Sequence, residues 1–239
     1  MKNLLKISLL LFVLSSCNFK PEESAKKVEK DPYTEYQYYT DGKVKAEIHI
    51  DNLKRFHGEV KKFYPDGKLK TLVTYDHGVT LNSKQYYENG KLEMEFPYKE
   101  GKKHGKRSKY WESGKIKSVL EYRNGEPIAG LKEYKESGKE VTAYPSLKIE
   151  QINQLSNNGK YYIDVYFSSN PQKGTYYIGE LQNGLIPADA EKINSIKGGK
   201  GRIVLNAIPS HYNMKKLNII GRFKTGYGSI YITEATFNL

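Results

Sequence analysis

Four stretches of the chain alternate apolar and polar residues with a period of two. Val44, Ala46, Ile48 and Ile50 share one side of the first, and Leu69, Thr71, Val73 and Tyr75 one side of the second. Leu92, Met94, Phe96 and Tyr98 do so in the third, and Ile116, Ser118, Leu120 and Tyr122 in the fourth; the intervening residues are mostly Lys, Glu, Thr and His. Successive side chains of an extended strand point to opposite faces, so the pattern predicts four strands with one face turned to a core and one to water.

The strands belong to a repeat. Tyr38-Tyr39-Thr40-Asp41-Gly42-Lys43-Val44 recurs as Phe63-Tyr64-Pro65-Asp66-Gly67-Lys68-Leu69, Tyr86-Tyr87-Glu88-Asn89-Gly90-Lys91-Leu92 and Tyr110-Trp111-Glu112-Ser113-Gly114-Lys115-Ile116, with a degenerate copy at Tyr134-Lys135-Glu136-Ser137-Gly138-Lys139. The glycines recur about every 24 residues, the size of one supersecondary unit in an array. Asp-Gly, Asn-Gly and Ser-Gly between aromatic and apolar flanks form hairpin turns, and second turns end the units at Asp76-His77-Gly78, Lys99-Glu100-Gly101 and Arg123-Asn124-Gly125. If each unit is a hairpin beside the next, the aromatics four residues before each turn glycine, Tyr38, Phe63, Tyr86, Tyr110 and Tyr134, are expected to stack as a ladder. These motifs, with His57-Gly58 and His104-Gly105, resemble the MORN repeat in its bacterial variant form. The resemblance covers roughly residues 36–141 and implies an antiparallel meander of hairpins. Some bacterial proteins of this class are named antitoxins, and eukaryotic relatives are linked to membrane and protein scaffolding.

Past Pro145 the spacing changes. Residues 147–152, 161–167, 175–181, 202–207, 216–223 and 229–237 read as strands, separated by turn formers such as Asn183-Gly184 and Gly198-Gly199-Lys200-Gly201, and only residues 188–196 read as helical. The expected fold is all-β: an antiparallel β-hairpin repeat meander over 33–144, then a small β-sandwich of immunoglobulin-like architecture over 145–239.

The amino terminus carries a different signal. Lys2 precedes an apolar run over residues 4–14, too short to span a bilayer, and then Leu14-Ser15-Ser16-Cys17. This resembles the lipobox of bacterial lipoproteins, which implies a signal peptide over 1–16 and acylation of Cys17. Cys17 is the only cysteine, which excludes an internal disulfide and any cysteine-based zinc site. Residues 17–32, charged and with two prolines, read as the acylated cysteine and a flexible tether. The expected location is the cell envelope on a bacterial membrane. Asn18 argues against inner-membrane retention by the enteric rule and so favours the outer membrane.

Charge narrows the partners. The net charge of +12 falls by two, to +10, when Lys2 and Lys6 leave with the signal. That field favours an anionic envelope component, or another protein, over the nucleic acid that an exported chain rarely meets. In the alternating register Lys43, Lys45, Lys68, Lys70, Lys91, Lys115 and Lys117 leave their strands opposite the apolar alternates, as a candidate binding stripe interrupted by glutamates. The 21 tyrosines favour sheets that keep one side wet.

Catalytic signatures are weak. Gly198–Gly201 lacks the Gly-Lys-Ser/Thr ending of a phosphate loop, Ser229 has no nucleophile elbow and reads as a strand start, and Glu93 and Glu95 lie on a wet strand face. The five histidines have neither helical ligand spacing nor a cysteine companion, so no metal site and no cofactor is expected. The reading is a membrane-anchored, non-catalytic binding or scaffold module, with an immunity or antitoxin-like protein as the alternative; oligomeric state is left open.

Overall fold

The computed structural model describes residues 31–169, 174–208, 211 and 216–238. The expected signal, Cys17 and the tether as far as residue 30 lie outside the described residues. Residues Pro32–Leu239 form one compact unit.

The repeats make one antiparallel sheet whose main strands pair in chain order. These are β1 (Thr34–Tyr38), β2 (Val44–Ile50), β3 (Phe56–Phe63), β4 (Leu69–Asp76), β5 (Val79–Tyr86) and β6 (Leu92–Lys99). After a short β7 (Lys102–Lys103) on β6 come β8 (Gly105–Tyr110) and β9 (Ile116–Arg123); β10 (Glu126–Pro127) and β11 (Lys132–Glu133) both pair with β9. Two turn types alternate between the ends of the sheet. At one end, Tyr39 accepts from the Gly42 N–H at 3.0 Å and donates its own N–H to Lys43 at 2.8 Å, a type I turn with a glycine bulge that recurs at Tyr64, Tyr87, Trp111 and Lys135. The five bulge glycines have φ between +82° and +93°, which explains why each unit needs one there. At the other end, His77-Gly78, Glu100-Gly101 and Asn124-Gly125 are two-residue turns with both residues at positive φ, the form whose twist suits a hairpin.

The second half begins with β12 (Leu147–Gln154), a single turn α1 (Leu155–Asn158), β13 (Lys160–Phe167) and β14 (Thr175–Ile178). It continues with β15 (Glu191–Lys192), β16 (Gly201–Leu205), β17 (Lys216–Lys224) and β18 (Ile230–Asn238). Two sheets, β12-β13-β16 and β15-β14-β17-β18, share a core of Tyr161, Ile163, Val165 and Phe167 from β13 with Tyr176, Leu217, Ile219 and Phe223 from the other sheet. Lettered A, B, C, C′, E, F, G in chain order, the sheets are ABE and C′CFG, as expected of an immunoglobulin-like sandwich. The helix expected over 188–196 is absent. Ala190 closes a turn on Pro187, Glu191–Lys192 pair with β14, and Ile193 enters the core, so strand pairing overrides the helical composition there. The glycine cluster is a hairpin turn, with Gly198 and Gly199 at positive φ and the Ile196 N–H bonded to Lys200.

The sandwich leans on the later repeats. Tyr144, Ile230 and Tyr231 pack against Phe96, Leu120, Tyr122 and Leu131, and the Tyr144 and Tyr231 rings stack at 4.4 Å. The earlier repeats keep more surface open: Tyr36, Tyr38, Phe56, Val79 and Leu81 are exposed.

Candidate binding surface

The residues that stitch the repeats together are the second aromatics of each pair. The Tyr39 hydroxyl donates to the Phe63 carbonyl, Tyr64 to Tyr86 and Tyr87 to Tyr110, each at 2.7 Å, and the Trp111 indole N–H donates to Tyr134 at 3.0 Å. The expected ladder of first aromatics does not form: among the described residues no ring contact joins any two of Tyr38, Phe63, Tyr86, Tyr110 and Tyr134, and Tyr38 is exposed. Their backbone carbonyls are instead the acceptors. The second aromatic opens the turn, so its side chain reaches across to the next hairpin, and a half-buried hydroxyl requires a partner there. Each rung contributes about 1 kcal/mol, the usual net worth of a neutral hydrogen bond. Tyr87→Phe is accordingly expected to lower the urea midpoint by an amount equivalent to about 1 kcal/mol. The same change at exposed Tyr36 serves as the reference, and equal effects at both sites would remove the rung from the stability of the sheet.

The lysines follow this row of rings. The ammonium groups of Lys45, Lys70 and Lys117 lie 5.8, 5.1 and 4.2 Å from the ring centres of Tyr39, Tyr64 and Trp111, an attraction between cation and π-face. Lys43 and Lys91 reach the next turn and donate to the Pro65 and Ser113 carbonyls at 3.0 and 3.1 Å. Lys43 and Lys68 also pair with their own turn carboxylates, Asp41 at 3.2 Å and Asp66 at 2.9 Å, while Lys115 is exposed after Gly114. All seven thus gather at the bulged-turn end of the sheet. The middle of the wet face is of mixed sign, because Glu47, Lys61, Leu72, Lys84, Glu95 and Ser108 stand opposite one another on successive strands. A hydrogen bond from His49, together with Lys61, holds the Glu47 carboxyl below its ordinary range.

A buried polar network that no motif announces joins the sheet to the sandwich. Arg107 is buried and donates to the Tyr122 hydroxyl at 3.2 Å and to Ser229 Oγ at 2.9 Å, and Ser229 donates to Ser118 Oγ at 3.0 Å. Buried Glu133 accepts from Thr225 Oγ1 at 2.7 Å and from the Tyr144 hydroxyl at 3.4 Å. Burial, then the charge of Glu133, pushes the Tyr144 hydroxyl well above its ordinary pKa. Ser229, just before β18, has Arg107 and Ser118 as side-chain partners, neither of them a base that could make it a nucleophile. The arrangement is a strut. An open hollow of about 530 Å³ lies beside β2 and β3, lined in part by Tyr33, His49, Asp51, His57 and Glu59.

Each of the first four bulged turns closes one two-stranded unit. Residues 34–52, 56–77, 80–100 and 103–124 match the MORN repeat variant family. These four hairpins are similar to MORN repeats. The matched segments take in β1–β2, β3–β4, β5–β6 (all but Val79) and β8–β9, and the degenerate fifth copy around Gly138 lies beyond them. No curated protein matches the chain. The MORN-like match points to a binding or scaffolding role, and repeats of this kind are generally not enzymes.

Proposed function

We propose that the chain is a lipid-anchored protein of a bacterial envelope whose MORN-like sheet docks an anionic partner without catalysing a reaction. The gathering of Lys43, Lys45, Lys68, Lys70, Lys91, Lys115 and Lys117 along one end of the sheet, beside a row of aromatic rings, carries this reading. Leu14-Ser15-Ser16-Cys17 supports the anchor, and Asn18 favours the outer membrane. Acyl chains on Cys17 would hold the protein at the bilayer at about 0.8 kcal/mol per buried methylene, without a spanning helix.

The anchor and the lysines are tested separately. Fatty-acid label is incorporated by the wild type and lost in Cys17→Ser; label persisting on that variant would refute the anchor. Co-sedimentation of residues 31–239 with envelope fragments is expected to fall steeply as salt rises, because the Debye length contracts from about 10 Å at 0.1 M to about 3 Å at 1 M. Changing Lys68, Lys70, Lys115 and Lys117 to Gln removes that binding. Equal, salt-insensitive binding by both proteins would take the lysines out of the function.

A further inference from the structure

We propose that His57, Asp76 and His77 form a surface site for a divalent transition-metal ion of the zinc class. Their ligand atoms all lie within 4.8 Å of one another, though the residues come from β3, the end of β4 and the turn beyond it. His57 Nδ1 stands 3.5 Å from Asp76 Oδ1, His77 Nδ1 stands 2.6 Å from the same oxygen, and the two imidazole rings are 4.3 Å apart. Bonds of about 2.0–2.1 Å in a tetrahedral zinc site separate ligand atoms by about 3.3 Å, so the first distance already fits. The second opens when the ion replaces the hydrogen bond. Likewise His57 Nδ1, which accepts from the His77 N–H at 3.3 Å, exchanges that bond for the metal.

The backbone holds the three residues in place. The register sets Gly58 opposite Tyr75, which brings the neighbouring His57 and Asp76 together, and the Gly78 N–H donates to the Phe56 carbonyl at 2.7 Å, clamping the turn against β3. His77 is held at φ +46°, where its side chain is carried back towards His57.

The chain contains its own control. In the equivalent hairpin His104 occupies the place of His57 and the Gly125 N–H clamps the turn to Lys103 in the same way, but Arg123 and Asn124 replace Asp76 and His77. The turn itself therefore requires neither a carboxylate nor an imidazole: Asn124 takes φ +50° there and Glu100 takes +51° in the hairpin between. Only at His57, Asp76 and His77, among the described residues, do three ligand groups converge. Two imidazoles and one carboxylate suit zinc and its neighbours rather than calcium or magnesium, and three protein ligands leave a coordination position open to water or to a group on a partner.

Calorimetric titration of the detergent-solubilised full chain with zinc chloride, metal alone, tests this. The wild type is expected to bind one ion, and His57→Asn and His77→Asn each to weaken binding at least tenfold. His77→Asn copies the sister turn and keeps its φ, and far-UV circular dichroism checks that both variants remain folded. His211→Asn, at an exposed histidine outside the cluster, leaves binding unchanged. Absence of saturable binding by the wild type, or binding that survives either cluster substitution, overturns the site.

Discussion

Glu133→Ala lowers the stability of the folded chain by about 3–5 kcal/mol, the range for removing one partner from a buried charged cluster. Glu133 is only 2% exposed, and its two oxygens accept from Thr225, just after β17 of the sandwich, and from Tyr144, in the connection that leads into it. Its charge also offsets part of the cost of burying Arg107, which is 5% exposed and whose pKa burial lowers. Truncation strands two hydroxyls and leaves the guanidinium less compensated. Urea unfolding followed by tyrosine and tryptophan fluorescence measures the loss. A change below about 1 kcal/mol, the worth of one ordinary hydrogen bond, would mean that the strut does not hold the two halves together.

Phe167→Ala is expected to cost about 3–5 kcal/mol, as for other large-to-small aromatic changes in a core. Phe167 is fully buried, with Phe223 and Tyr176 ring centres 4.7 and 5.6 Å away. The sheets meet so closely here that a Cβ on Gly221 would sit 2.6 Å from Phe167 Cζ and 2.6 Å from Leu147 Cδ2. Gly221→Ala alone therefore overpacks the core at about 1–3 kcal/mol, whereas in the Phe167→Ala background the clash with the ring is gone and the void gives the Leu147 side chain room to move off the new methyl. The double variant should be clearly more stable than the sum of the two single losses allows. Strict additivity would contradict the packing described between β13 and β17.

What was legible in the sequence was local. The turn glycines and the period-two alternation gave the hairpins, because each depends on a few neighbouring residues and one backbone rule. The row of second aromatics was within reach: Tyr39, Tyr64, Tyr87 and Trp111 recur as faithfully as the residues before them. Separating the two roles required knowing which one opens the turn. Residues 188–196 misled because Ala, Glu and Lys favour helix while the decisive contact, Ile193 in the sandwich core, comes from distant strands. Arg107 and Ser229 lie 122 positions apart, and no periodicity carries such a pairing. The imidazole cluster has no helical ligand spacing to reveal it, because a hairpin register brings residues 57, 76 and 77 together across two strands.

The central claim, that the MORN-like sheet docks its partner at the bulged-turn end, is tested most directly by photo-crosslinking in intact envelopes. A photoreactive amino acid is placed in turn at Lys68, at Lys115 and at Glu150, an exposed position on the sandwich. The account predicts a common adduct from Lys68 and Lys115, weakened by high salt, and none from Glu150. An adduct from Glu150 alone would place the partner on the sandwich and contradict it.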